Sequence, residues 1–169
     1  MDDIVEEIGL SKGAIYHHFQ SKRELFIALI EHWMDQFLSL ERGAKMSGSP
    51  SADLIRKVAR FTAKIFKRNP NWFLLEPEIW AFANRDREIN ELVGQLYTRI
   101  LSELEALIER GVKFGEFKPV NSRMIALSIM TSLHGMIWFV LFQPEDFSLE
   151  EYVDINMDFI LNGIAKQGE

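Results

Sequence analysis

The chain has 169 residues, enough for one ordinary domain or for a small head on a larger body. At 47% hydrophobic and 12% aromatic it can bury a substantial core, and the lack of cysteine excludes disulfides and thiolate zinc sites. The net charge of −6 excludes a uniformly basic protein, so any nucleic-acid contact must rest on local charge, for which Lys12, Lys22 and Arg23 are the candidates.

The first predicted elements lie between Asp3 and Phe19, two short helices joined by a glycine turn. Ile4, Val5 and Ile8 form one apolar stripe. Gly9 permits the φ > 0 that a tight corner needs, and Leu10 plugs that corner. Ser11 is placed to cap the next helix, whose buried face carries Ile15 and Phe19. Lys12, Gly13, Ala14, Tyr16, His17 and His18 fall on its open faces. Such a helix-turn-helix puts its second helix in the DNA major groove. Lys12 can reach a guanine edge or a phosphate, and Gly13 and Ala14 let the backbone approach the groove floor. Tyr16, His17 and His18 offer donors to phosphates. Ser21 precedes a third helix, with Glu24 at capping-box spacing and Lys22 in a first turn that favours an anion.

The third helix is predicted over residues 21–42, with Leu25, Leu29, Trp33, Phe37 and Leu40 inward. A loop over 43–50 ends at Gly48-Ser49-Pro50. The next helix turns Leu54, Val58, Phe61, Ile65 and Phe66 inward and stops at Asn69-Pro70. Residues 71–84 are aromatic-rich, and Pro77 predicts a kink or break there. Asp86 opens the longest helix, with Ile89, Leu92, Val93, Leu96, Tyr97, Ile100, Leu101, Leu104, Leu107 and Ile108 as its stripe. Residues 111–119 read as a turn region containing Gly115. Helices over about 121–142 and 148–165 complete an all-α chain. The apolar run over 124–142 is about long enough to span a bilayer. Ser128, Thr131, Ser132 and His134 interrupt it, so a helix buried on two sides is expected and no membrane association.

Trp33, Phe37, Phe61, Phe66, Trp72, Phe73, Trp80, Tyr97, Met130, His134 and Trp138 are candidates to line a cavity between the middle helices. Apolar walls with a few polar groups suit a hydrophobic or aromatic small molecule. The competing reading of each is plain core, with His134 a satisfied core histidine. The sequence carries no cysteine nucleophile, no glycine-rich phosphate loop and no His-Glu-x-x-His, so no catalytic residue, metal site or cofactor is expected. No cationic segment leads into a short apolar core at the N-terminus, and the expected setting is the cytoplasm.

Residues 9–19, then Ser21-Lys22 and Leu25-Phe26, resemble the signature of the tetracycline-repressor (TetR/AcrR) family. Glycine, serine, the small pair, tyrosine, phenylalanine and lysine all fall at the expected offsets. The resemblance implies a helix-turn-helix head over 1–42 and a helical-bundle body over 43–169 for ligand binding and dimerisation. It implies that Lys12, Gly13, Ala14 and His17 face bases or the adjacent backbone, that Tyr16, His18 and Lys22 hold phosphates, and that Ser11 caps the recognition helix. The last two helices would pair with their mates, with Met130, Leu133, Ile137, Leu141, Met157, Ile160 and Ile164 as seam candidates; the monomer core is the alternative place for each. The implied function is a ligand-responsive regulator, a repressor, binding a palindromic operator in double-stranded DNA as a homodimer. A hydrophobic effector would release it by shifting the 21–42 helix and so the spacing of the heads. Two departures stand out: Val5 replaces the usual alanine, and the family's first helix is missing ahead of Asp3. The second departure motivates an alternative, a dimeric all-α ligand-binding or interaction protein that has lost DNA binding through truncation.

Overall fold

Helices begin where a capping side chain precedes an apolar run. A computed structural model describes residues 18–32, 48–68, 76–142 and 148–166, apart from the side chains of 137, 138 and 140–142. These residues hold α1 (residues 22–32), α2 (Ser51–Arg68), α3 (Glu76–Ala83), α4 (Arg87–Lys113), α5 (Ser122–Phe142) and α6 (Leu149–Ile164), and no strand occurs among them. The Ser21 hydroxyl accepts from Glu24 N at 3.2 Å. Asp86 accepts from Glu88 N and Ile89 N, Asn121 from Met124 N, and Ser148 from Glu151 N. Each satisfies first-turn donors that the helix itself leaves free.

Two starts differ from expectation. Glu24 reaches back to Gln20 N at 2.7 Å, one residue before the capping-box partner. Pro77 causes no break within α3, because it occupies the first turn, where a missing N–H costs no intrahelical bond. The start of α2 borrows its cap from a distant residue: Glu116 accepts from Ser51 N at 2.7 and 3.0 Å and from Ala52 N at 3.3 Å.

α4 runs through Gly111 to Lys113, further than the turn region read from the sequence. Gly115, at φ +74°, then reverses the chain in the left-handed region that glycine reaches without strain. The reversal folds the buried Phe117 ring back onto Gly111. A Cβ there would lie 2.2 Å from the ring, so this helix position has no room for a side chain. Phe117 also bridges Ala165 just beyond α6.

Two apolar clusters share α4. The larger joins α2, the C-terminal half of α4, α5 and α6 around Ile55, Ile108, Ile129 and Met157. The smaller joins α1, α3 and the N-terminal half of α4 around Phe26, Ile30, Ile79 and Ile89. Ile100 packs against both. The expected α1 stripe is corrected: Phe26 and Ile30 are buried, whereas Leu25 and Leu29 are half-buried. On α2, Ile55, Ala59, Ala63 and Phe66 face the core with Leu54, while Val58, Phe61 and Ile65 are half-buried. The two alanines are small enough for close helix approach and were overlooked beside larger apolar neighbours.

Three seam candidates pack within the single chain. Leu133, Met157 and Ile164 are buried in the monomer's own core at 6%, 1% and 5% exposure. All three belong to the apolar cluster formed with α2 and α4, and Ile164 also borders the open groove between α5 and α6. Ile160 and Met130 are half-buried, and the side chains of Ile137 and Leu141 lie outside the described residues.

Candidate functional site

Ser11, Lys12, Gly13, Ala14, Tyr16 and His17 lie outside the described residues. His18 is exposed, and Lys22 occupies the first turn of α1. Lys22 Nζ lies 2.6 Å from Glu78 Oε2 and above the Phe26 ring, 5.2 Å from its centroid. Arg23 pairs with both Asp86 and Glu88. The Arg23 hydrogen bond, aided by the N–H groups of Ile89 and Glu88, holds the Asp86 carboxyl below its ordinary range. The base of α1 is thus tied to α3 and to the start of α4 by charge.

Among the predicted cavity residues, the structure brings Trp80, Tyr97 and His134 together around one the sequence reading missed, Glu76. Glu76 opens α3, Trp80 lies one turn further on, Tyr97 projects from α4 and His134 from α5. Glu76 is 8% exposed, yet it is a carboxylate. Its Oε1 accepts from the Tyr97 hydroxyl and from His134 Nε2 at 3.2 Å. Trp80 Nε1 donates to the Tyr97 oxygen at 3.1 Å, and the Tyr97 and His134 rings lie 5.5 Å apart, tilted by 58°. Burial pushes the Tyr97 phenol upward, reinforced by the negative charge of Glu76, so it stays protonated and donates.

Both ring nitrogens of His134 face acceptors: Glu76 Oε1 and, at 3.1 Å, the Met130 carbonyl oxygen. The doubly protonated ring satisfies both. Burial, the largest single influence, opposes that charge. The hydrogen bond and charge of Glu76 and the Met130 carbonyl together outweigh it and hold the His134 pKa above its usual value. Glu76 gave no periodic signal, because a lone acid beside a proline in an aromatic stretch reads as a solvated helix start. Phe66 belongs to the large core, with Met130 packed against it, while Phe61 is half-buried on α2. Trp33, Phe37, Trp72, Phe73 and the Trp138 side chain lie outside the described residues.

A second feature is the outer face of α5 and α6. Met124, Leu127, Phe139, Ile155 and Phe159 are exposed there, Phe159 at 82%. An open groove of about 710 Å³ runs between the helices, floored by Ile125, Tyr152 and Ile160. Ser128, Thr131 and Ser132 turn their hydroxyls onto carbonyls of their own helix, at 2.9, 2.9 and 2.7 Å. Gly135 and Gly163 leave open space where a Cβ would be. The face is therefore apolar, internally satisfied and able to admit another helix closely. No helix among the described residues is long and apolar enough to cross a membrane, and no cluster there has the ligands to hold a metal ion.

Comparison with known proteins agrees with both ends of the chain. Bacterial regulatory proteins of the tetR family match residues 1–29, and the C-terminal part of the BetI-type transcriptional repressor matches residues 54–164, well over half of the chain. The HTH-type transcriptional regulator YfiR of Bacillus subtilis is 27% identical over 148 residues, covering 86% of this chain and 72% of that protein. The nucleoid occlusion factor SlmA of Vibrio campbellii is 26% identical over 136 residues, covering 79% and 68%. The crystal structure of the TetR family transcriptional regulator PfmR from Thermus thermophilus superposes with a TM-score of 0.77 at 26% identity, covering 97% of this chain and 88% of that one.

Proposed function

Because the chain belongs to the tetR family of bacterial regulatory proteins, with a BetI-type C-terminal part, it is a DNA-binding transcriptional regulator, and we propose that it is a ligand-responsive repressor acting as a homodimer in the cytoplasm. Residues 1–42 serve as its head and 43–169 as its body. The dimer forms through the outer face of α5 and α6, with Phe159, Ile155, Leu127 and Met124 in the seam in place of the buried Leu133, Met157 and Ile164. Two-fold pairing matches a palindromic operator, whose half-site spacing the heads must keep. We assign it a binding role rather than a catalytic one.

The observation that carries the ligand-responsive reading is the placement of α3. Its first residue, Glu76, sits among the aromatic side chains of the body; its third, Glu78, pairs with Lys22 at the base of the head; and Ile79 packs with Phe26 and Ile30. A ligand that displaces α3 therefore moves α1 directly. This route runs across the small core, beside the continuous 21–42 helix expected from the sequence.

The test is a gel-shift titration on a palindromic site. Salt-sensitive binding by a dimer, lost on addition of an apolar ligand, is the expected result. Phe159→Asp should convert the dimer to monomers by placing a charge in the seam, and should abolish operator binding while the helical content persists. A Phe159→Asp protein that remains dimeric, as measured by sedimentation, overturns the proposed face.

A further inference from the structure

Glu116 joins three parts of the body through separate atoms. Its N–H donates to Gly111 O at 2.9 Å near the end of α4, and its carbonyl accepts from Lys166 N at 3.0 Å just beyond α6. Its carboxylate caps the start of α2, accepting from Ser51 N and Ala52 N. Pro50, which precedes that helix, has no side-chain acceptor to offer in its place. Ser51 is fully buried, so water cannot replace Glu116 at its N–H. Arg110 Nη2 donates to Ser49 O at 2.6 Å. The chain arriving from residues 1–42 is therefore gripped at Ser49, Ser51 and Ala52 where it enters the body. The grip has a firm base, because Phe117 bridges Ala165, packs over Gly111 and belongs to the larger core.

We propose that Glu116 is a positioning residue for operator binding: it fixes the entry of the chain from the head against the end of α6, one of the helices that carry the dimer seam. This rests on the reading of the protein as a homodimer with a head over 1–42 and its seam on α5 and α6. In such a dimer the separation of the heads is set by the path from seam to head. That path is fastened at both ends of α4. At the start, Lys22 and Arg23 tie α1 to Glu78, Asp86 and Glu88. At the far end, Arg110 and Glu116 hold the entry to α2. At 1.5 Å per residue, Glu88 and Arg110 stand about 33 Å apart along the helix. Two fastenings so far apart fix a direction, whereas one leaves a swivel. The ion pairs at the start are exposed and exchange partners at little cost. The carboxylate on a fully buried helix start does not, so it holds the direction.

The test compares the full chain with Glu116→Ala and with Glu116→Ala/Pro50→Asp, in which Asp at position 50 supplies a local cap and returns stability without the tether. The chain has no cysteine, so Glu31→Cys, exposed on α1, gives one spin label per subunit. The label-to-label distance across the dimer should be narrow with Glu116 present and broad in both variants. In the second arm, a palindrome that the wild type selects from random double-stranded DNA is lengthened by one base pair between half-sites. The wild type should lose at least about tenfold in affinity, and both variants less than about threefold. Glu116→Gln, which keeps an acceptor on the same arm, should behave as wild type. Should Glu116→Ala fail to fold, the double variant and Arg110→Gln, which frees Ser49, carry both arms. A distance as narrow in the double variant as in wild type, or spacing discrimination that returns with stability, reduces Glu116 to a helix cap and overturns the proposal. A monomeric wild type overturns it as well. A dimer whose distance broadens as expected but that selects no DNA removes the repressor reading and keeps the tether.

Discussion

The core between α2, α4, α5 and α6 closes around Ile55, Ile108, Ile129 and Met157, all at or below 1% exposure, and α2 and α6 are further strapped by Arg56–Asp158, Arg60–Asp154 and Lys67–Glu150. The core beneath α1 is smaller. Phe26 and Ile30 meet Ile79 and Ile89, and at its rim Lys22 and Arg23 are held by Glu78, Asp86 and Glu88. Apolar contact at native density resists displacement, because any shift opens voids. Exposed ion pairs exchange partners at little cost. One core is built as a frame, and the other as a joint between that frame and α1.

The largest expected effect comes from removing the same side chain in each. Ile108→Ala should lower global stability by about 2–5 kcal/mol, seen as a lower urea midpoint with an unchanged slope. Ile30→Ala should instead speed amide exchange in α1 and α3 and leave α5 and α6 protected. Equal loss of protection throughout the chain would show a single cooperative core and dissolve the distinction. Next comes Gly111→Ala, which forces a methyl against the Phe117 ring and should cost about 1–3 kcal/mol by thermal or urea unfolding. Pairing it with Phe117→Leu, which shortens the obstacle, should recover part of that loss.

A smaller effect concerns pH. The folded-state pKa of His134 is raised, so its contribution is fully present below the unfolded histidine value of about 6.5 and disappears as pH rises through the folded value. Wild-type melting temperature should therefore fall from about pH 6 to pH 8 relative to His134→Gln, whose profile should be flatter over that window. Asp86 works in the opposite direction. Its lowered pKa adds stability above about pH 4 that is lost as pH falls through the folded value, so acid should free α1 before it loosens the large core.

The smallest effect isolates the joint. Glu78→Gln releases Lys22 for phosphate, and operator affinity should rise by about two- to fivefold with stability nearly unchanged. Unchanged affinity would mean that Lys22 contributes nothing to phosphate binding.

Much of this was legible from residues in order. Asp86, Asn121 and Ser148 were read as helix starts and do cap them, because an N-cap acts within three residues of itself. The α4 stripe from Ile89 to Ile108 followed from its period. The family signature in residues 9–26 pointed to the tetR family, whose model matches residues 1–29. Less legible was the rotation of α1 and α2, where Ile30, Ala59 and Ala63 outrank larger apolar neighbours. Periodicity gives the existence of a stripe, and its azimuth depends on what packs against it.

The sequence alone determined most of the helices, the caps at Asp86, Asn121 and Ser148, and the family, since these arise from contacts a few residues apart. Tertiary structure decided which apolar residues face inward on α5 and α6, leaving Phe159 rather than Met157 outside. It also decided that Glu116 would cap α2 and that Glu76, Tyr97 and His134 would share one carboxylate. Those relations join residues 21–65 positions apart. Local pattern carries no record of such distances, because they are set by how the helices pack.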